Sequence, residues 1–383
     1  VTPANDAPVE SSIEGSNVAY NENDPATQVT NAIAIADLDD TSIESAVVQI
    51  TGNYATGEDV LAFTNTGTIS GVWNAVSGTM TLSGSDTLAN YEAALRSITY
   101  ENTSDDPSAL TRTVSFTVND GDVGSNSLTR DINIVAVNDA SVESAIEGTN
   151  LGYNEGDGQV AITAAISLAD VDDTNIESAV IQVTGNYTNG EDVLSFTNTG
   201  SITGVWNAAT GTITLSGSDT LANYEAALRS VTYENTSSNP SNLTRTVSIT
   251  VNDGDVDSNT LTRDINVATG NDAPVESTIE GTNVAYSEND PATQITNTIS
   301  IADVDDTNIE SAVIEITGNY SNGQDILAFT DTGTITGVWN AVAGTMTLSG
   351  SDTLANYEAA LRSVTYENTS DDPSNLTRTV SFT

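Results

Sequence analysis

Three acidic clusters recur along this chain, and oxygen is the only ligand chemistry they offer. The first is Ala-Asp-x-Asp-Asp, at Asp37, Asp39 and Asp40, at Asp170, Asp172 and Asp173, and at Asp303, Asp305 and Asp306. The second is Asn-Asp-Gly-Asp, which supplies Asp120 and Asp122, then Asp253 and Asp255, with Asp257 close by. The third is an Asn-Asp pair, at Asn5-Asp6, Asn138-Asp139 and Asn271-Asp272. A lone glutamate recurs near the first expected strand as Glu22, Glu155 and Glu288. Carboxylates packed within a few ångströms repel strongly unless a cation sits among them. Hard oxygen donors without nitrogen or sulfur select Ca²⁺ over zinc or copper, and Mg²⁺ demands tighter octahedral geometry. Asp-x-Asp alone is a weak signal, but all three clusters repeated at fixed spacing are a much stronger one. The competing reading is a solvated, solubilising surface.

The rest of the composition narrows the chemistry further. The 383 residues include 54 acidic and 8 basic side chains, for a formal charge of −46. All the basic residues are arginine; lysine, histidine and cysteine are absent. That excludes disulfides, thiol nucleophiles, thiolate zinc sites, imidazole bases and Schiff-base lysines. A surface this negative repels phosphate backbones and anionic lipid, so neither nucleic acid nor a membrane surface is an expected partner. No apolar run is long enough to insert into a bilayer. Residues 1–9 lack the basic and apolar regions of a signal peptide, and the stretch reads as part of something longer.

The elements that must position these acids are repeated. Trp73, Trp206 and Trp339 are spaced by 133 residues, as are Tyr20, Tyr153 and Tyr286. That period exceeds the roughly 20–50 residues of solenoid units and matches a domain. Three domains are expected, at residues 1–137, 138–270 and 271–383. The third lacks the counterpart of Val251–Gly270, the Asn-Asp-Gly-Asp turn and a final strand. Either the stretch simply ends inside the third copy, or a neighbouring molecule supplies the strand.

Period-two alternation predicts strands over Thr30–Ala36, Glu44–Thr51, Val60–Phe63, Thr79–Leu82, Arg112–Val118 and Asp131–Val137. Gly52-Asn53, Asn189-Gly190 and Asn322-Gly323 are turn signals. One segment breaks the alternation: Leu88, Tyr91 and Leu95 share a helical face, with Asp86 or Thr87 as N-cap. The expected fold is all-β, tandem immunoglobulin-like antiparallel sandwiches, each with one short helix in a late connection. In such a sandwich the first acidic loop, the Asn-Asp-Gly-Asp loop and the start of the first strand lie at one pole.

At these residues the chain resembles a known family. Asn-Asp-Ala-Pro-Val, at Asn5–Val9 and Asn271–Val275, resembles the cadherin inter-domain linker, and Ala-Asp-x-Asp-Asp resembles the cadherin Asp-x-Asp motif. Glu22 resembles the first-strand glutamate of cadherins. Tyr-Glu-x-x-Leu-Arg-Ser, Tyr-Glu-Asn-Thr-Ser and Asn-Asp-Gly-Asp are similar to cadherin-like repeats of giant bacterial surface adhesins. The resemblance spans the whole chain. It implies Ca²⁺ at each junction, type I (RTX-type) secretion, an extracellular cell-surface location and a part in attachment or biofilm. The pattern also departs from cadherins. Ala136 and Thr269 stand where the linker has aspartate, and Ala140 and Ala273 follow Asn-Asp where asparagine is expected. No Leu-Asp-Arg-Glu motif is present; Asp86, Glu92 and Glu101 fall in its region.

The reading is therefore a calcium-stiffened, non-catalytic extender that projects a distal binding tip. Its immediate partners are adjacent repeats of the same long chain, with self-association possible and any glycan or surface ligand bound elsewhere. Two alternatives remain open: a filament subunit joined by strand exchange, and a carbohydrate-binding array using the three Gly-Val-Trp-Asn tryptophans. The tryptophans otherwise read as core or half-buried. A carboxylate pair such as Glu191 with Asp192 would suffice for glycosidase chemistry, but three copies of one active site are not expected. Arg96, Arg229 and Arg362 complement helix C-termini, and Arg112, Arg245 and Arg378 are expected to pair with local carboxylates.

Overall fold

Residues 4–383 are described by a computed structural model. Residues 1–3, which open the first expected domain, lie outside the described residues. In the first repeat the strands are β1 (Val9–Ser11), β2 (Val18–Asn21), β3 (Thr27–Gln28), β4 (Ala34–Ala36), β5 (Ser42–Gly52) and β6 (Asp59–Ala62). They continue with β7 (Ser70–Asn74), β8 (Thr79–Thr87), helix α1 (Leu88–Arg96), β9 (Thr99–Asn102), β10 (Arg112–Asn119) and β11 (Leu128–Val135). Six strands form the larger sheet in the order β2-β11-β10-β5-β8-β7, and β3-β9-β6 form the smaller one. The short pair β1–β4 stands beside them. Every pairing is antiparallel except β2 with β11, which is parallel. The second repeat repeats this order, and among the described residues every sheet is built from strands of one copy.

Alternation explains the strands at the centre. In β10, Val114, Phe116 and Val118 face inward and are buried, while Ser115 and Thr117 between them are partly covered. β5 begins inward with Ile43 and then resumes at Ala46, Val48 and Ile50. A register shift between Ile43 and Ser45 accompanies the changed parity: a bulge sets two residues of β8, Gly84 and Ser85, opposite Glu44. Gly84 in the facing strand adopts φ +126°, and a Cβ there would lie 2.0 Å from the Thr68 carbonyl oxygen, so only glycine fits.

Helix α1 follows the expected face: Tyr91 and Leu95 are buried and Leu88 packs partly against the core. Thr87 is the N-cap, accepting from the Asn90 N–H at 3.3 Å. Asp86 buttresses that cap, accepting from the Thr87 N–H at 2.8 Å and from the Asn90 amide at 2.6 Å. Glu92 accepts from the Ile35 N–H at 2.8 Å and ties the helix to β4. Asp86 and Glu92 therefore serve the helix. Arg96 sits in the last turn, as expected, and donates to the Ile33 carbonyl at 2.9 Å.

Three expectations need correction. Thr30–Ala36 is a strand only at Ala34–Ala36, because Glu14 captures the Thr30 hydroxyl (2.6 Å) and the Asn31 N–H (2.8 Å) and takes that backbone out of the sheet. The last strand starts earlier than expected, at Leu128. The tryptophan segment, read without a strand, is edge strand β7; Trp73 is half-buried, with its ring 6.2 Å from Tyr54 in an edge-to-face pair.

A buried ionic network fixes the pole opposite the acidic loops. Asp59 (1% exposed) and Arg112 (0%) pair at 3.0 Å. Asp59 also accepts from the Tyr100 hydroxyl at 2.5 Å, the Asn102 amide at 2.7 Å and the Ala55 N–H at 2.7 Å. Arg112 donates onward to the carbonyls of Ser108 and Leu110, each at 2.6 Å. Asp192 and Arg245 repeat the pair at 3.2 Å, and Asp325 with Arg378 does so in the third copy at 3.2 Å. Asp192, which could be nominated as a glycosidase carboxylate, is thus a sealed structural anion.

Candidate metal centre

The acidic pole is assembled from loops whose own turns hold the carboxylates in place. In the second repeat Asp170 follows the strand Ser167–Ala169 and accepts from the Asp172 N–H (3.2 Å), the Asp173 N–H (2.9 Å) and the Ser141 hydroxyl (2.7 Å). This Asx-turn brings one carboxylate oxygen from each of Asp170, Asp172 and Asp173 within 4.8 Å of one another. Asp303, Asp305 and Asp306 cluster in the same way in the third repeat. In the first, Asp37 makes the same turn with the N–H groups of Asp39 and Asp40, each at 3.1 Å.

The Asn-Asp-Gly-Asp hairpin and the Asn-Asp pair close onto this loop. Asp253 accepts from the N–H groups of Asp255 (2.9 Å) and Val256 (2.8 Å), and from the Asn138 side chain at 3.2 Å. The Asp139 N–H donates to Asp172 at 3.1 Å. The first repeat matches: Asn5 donates to Asp120 at 2.9 Å, the Asp6 N–H to Asp39 at 3.1 Å, and the Asp122 N–H to Asp120 at 2.8 Å. In the third, the Asp272 N–H donates to Asp305 at 3.1 Å and Asn271 turns onto the Asp272 carbonyl at 2.8 Å; the hairpin has no counterpart in the sequence. Asp257 belongs to its own hairpin, accepting from Asn252 at 2.8 Å.

The electrostatics are those of crowded anions. Partial burial, then the charges of Asp170, Asp253, Glu177 and Asp255, hold Asp173 above the ordinary aspartate value. Loss of hydration, then Asp39, Asp37, Asp120 and Glu44, does the same to Asp40. Against its own burial cost, Asp170 is kept low by the N–H and hydroxyl groups it accepts from, while Asp172 beside it is driven up.

Two glutamates enter the pole that the sequence did not single out. Glu44 lies in β5 opposite the β8 bulge; its Cγ lies 3.4 Å from where a Cβ on Gly121 would stand. Glu177 is its counterpart, 3.2 Å through Oε2 from the same point at Gly254. One oxygen of each takes the hydroxyl of Ser85 (3.0 Å) or Ser218 (2.9 Å). The other oxygen is buried with no hydrogen-bond partner among the described residues, as are one oxygen each of Asp37, Asp172 and Asp305. A buried anionic oxygen left unpartnered is costly. A donor set of orphaned carboxylate oxygens fits a hard divalent cation.

The lone glutamates lie elsewhere. Glu22 follows β2 at the opposite pole and is 6% exposed; it accepts from the Val137 N–H at 2.9 Å and leaves its other oxygen buried and unpartnered. Glu155 grips the Gly270 N–H at 2.9 Å. These residues clip the segment leading into the next Asn-Asp pair. From Glu22 the path runs through Val137 to Asn138 and Asp253. Glu288 is exposed and accepts only at 3.5 Å, from the neighbouring Asn289 side chain, among the described residues. Between the second and third repeats, the Asn239 side chain donates to the Val304 carbonyl, inside the next acidic loop, at 3.0 Å.

A further buried acid lies at the base of the hairpin. Glu10 in β1 is 2% exposed, and neither of its carboxyl oxygens has a well-formed hydrogen bond. Its backbone exchanges bonds with the Asn126 side chain at 2.9 and 3.1 Å. Burial pushes Glu10 and Glu143 up to about 7, against weaker lowering by Leu128 and Ser125, and by Ser258 and Leu261.

No protein-family profile matches the chain, and no curated protein matches it. Solved structures do. Mouse cadherin-23 EC22-24 aligns at 16% identity over 91% of this chain and 90% of that one, with TM-score 0.32. The protocadherin gammaB4 extracellular domain aligns at 17% identity over 91% of this chain, which spans 45% of that one, with TM-score 0.28. The C-terminal domain of the Streptococcus pyogenes antigen I/II-family protein AspA aligns at 12% identity over 68% of this chain and 99% of that one, with TM-score 0.22. Scores of this size carry no weight about function.

Proposed function

We propose that the chain is a run of calcium-stiffened extender domains, non-catalytic, from an extracellular cell-surface adhesion protein. Its folding units would be residues 1–137, 138–270 and 271–383. The observation that carries this reading is the acidic pole of the second repeat. There the boundary residues Asn138 and Asp139 are hydrogen-bonded to Asp253 and Asp172, beside buried oxygens of Asp172 and Glu177 that have no partner. Asp139, Asp170, Asp172, Asp173, Glu177, Asp253 and Asp255 would hold the ion, with Glu22 steadying the incoming segment. Bound calcium supplies positive charge that offsets the crowding and fixes the boundary segment against both loops. Location at a bacterial surface and a part in attachment or biofilm are supported by the sequence resemblance. The half-buried setting of Trp73 against the core favours the structural reading of the tryptophans over a glycan platform.

Thermal unfolding with excess EDTA and then with millimolar calcium tests the reading. Binding to the folded state alone stabilises by about 2.7 kcal/mol per site at 100-fold excess over Kd. A large rise in midpoint, lost when Asp170→Asn and Asp172→Asn are combined, is expected. No rise would reduce the pole to a solvated surface. Small-angle scattering adds the mechanical half: the same rigid rod with and without calcium would refute stiffening.

A further inference from the structure

We propose that one side chain sets the stiffness of each boundary between repeats. Asn239 latches the second repeat to the third without any ion, while Asp106, its counterpart, leaves the first boundary unlatched. Among the described residues, the bond from the Asn239 side chain to the Val304 carbonyl, 3.0 Å, is the one hydrogen bond that crosses from one repeat to the next.

Both sides of this contact are built in advance, and both boundaries have them. The loop that carries Asn239 is gripped from beneath by buried Arg245, which donates to the carbonyls of Ser241 and Leu243. The Asn239 N–H is itself tied to the Ser237 hydroxyl at 3.1 Å. The first repeat makes the same loop: Arg112 holds Ser108 and Leu110, and the Asp106 N–H donates to the Ser104 hydroxyl at 3.2 Å. Across the boundary, Val304 sits inside the turn that Asp303 closes onto the N–H groups of Asp305 and Asp306. Val171 sits inside the equivalent turn of Asp170, Asp172 and Asp173. What differs is the side chain that reaches over.

That difference is one of donor chemistry. The asparagine amide donates and a backbone carbonyl accepts; an ionised aspartate accepts only. Asp106 therefore cannot bond the Val171 carbonyl. Asp105 stands beside it, where the second repeat has Ser238. The first boundary thus brings two carboxylates to a loop that already carries Asp170, Asp172 and Asp173, and like charges at close range repel. Motion between neighbouring domains is the default unless a contact opposes it. One hydrogen bond shifts such a balance about fivefold, and repulsion on the other boundary widens the gap. Without ions, the chain bends at its first boundary and holds at its second. The latch contains no ion, so this proposal stands apart from the calcium reading.

The test exploits the absence of cysteine. Val76, Ala209 and Val342 are exposed counterparts, one in each repeat. Spin labels at Val76→Cys and Ala209→Cys report the first boundary, and labels at Ala209→Cys and Val342→Cys report the second. In EDTA, pulsed dipolar spectroscopy should give a broad distance distribution across the first and a narrow one across the second. The linkers also differ, with Val137 against Gly270 and Ser141 against Pro274, so exchange of the loop residues isolates the latch. Asp105→Ser with Asp106→Asn should narrow the first distribution, and Asn239→Asp should broaden the second. These side chains are exposed, and an unchanged unfolding midpoint checks that each variant is folded. Equal widths in EDTA, or widths that the exchanges leave unchanged, would overturn the proposal. Calcium added afterwards addresses stiffening alone: a first boundary that stays broad would refute that reading and leave the latch standing.

Discussion

The backbone N–H of Asp139 donates to the carboxylate of Asp172 at 3.1 Å, thirty-three residues on. The segment joining two repeats is therefore held by the acidic loop of the second, before any ion is considered. Whatever charge state that loop adopts is felt directly by the boundary.

Glu177 should reveal itself by opposite effects in two conditions. Its unpartnered oxygen adds to the crowding that drives Asp173 up. In EDTA, Glu177→Gln should raise the unfolding midpoint by relieving repulsion. In calcium it should weaken binding about tenfold, or about 1.4 kcal/mol. A shift of the same sign in both conditions would remove Glu177 from the ligand set.

The buried acids Glu10 and Glu143 should make stability fall as pH rises. Their folded values stand near 7 against a usual value of 4.5. Their contribution is complete below pH 4.5, where the unfolded chain is also protonated, and is lost as pH climbs through 7. The double variant Glu10→Gln, Glu143→Gln should match the parent at pH 4 and exceed it at pH 8, by on the order of 2 kcal/mol per site. Denaturant midpoints at both pH values measure this; a difference independent of pH would contradict it.

The Asp192–Arg245 pair should prove costly to break from one side. Both side chains are fully buried, so Arg245→Met leaves an uncompensated anion. Losses of this kind run to about 3–5 kcal/mol. Differential calorimetry should show part of the unfolding transition displaced downward. A loss under about 1 kcal/mol would mean that the pair behaves as an exposed one.

Glu155→Ala should loosen a junction without weakening a repeat. The residue's oxygen holds the Gly270 N–H, outside the sheets. Scattering in calcium should give a shorter maximum dimension at an unchanged unfolding midpoint. An unchanged dimension would show that the clip does not set alignment.

Much of the architecture was legible where one local rule decides the outcome. Leu88, Tyr91 and Leu95 read as a helix because their spacing fits no strand, and the alternation from Val114 to Val118 fits nothing else. The meeting of the acidic loops at one pole followed from loop order in a sandwich. Glu44 was not legible: in a regular strand it reads as a solvent-facing residue, and the bulge at Gly84 and Ser85 that faces it leaves no mark in its own strand. Asp59 and Arg112 are fifty-three residues apart, with nothing local to join them. β2 was missed because four residues paired in parallel with a strand more than a hundred residues away leave no periodic trace.

That same parallel pairing decides how a repeat would bear tension. Val18–Asn21 and Ile132–Val135 run side by side in one direction, so a pull on the two ends slides one strand lengthwise along the other. Their cross-links then take the load together, as rivets do in a lap joint, whereas an antiparallel pair pulled from one end would open bond by bond like a zip.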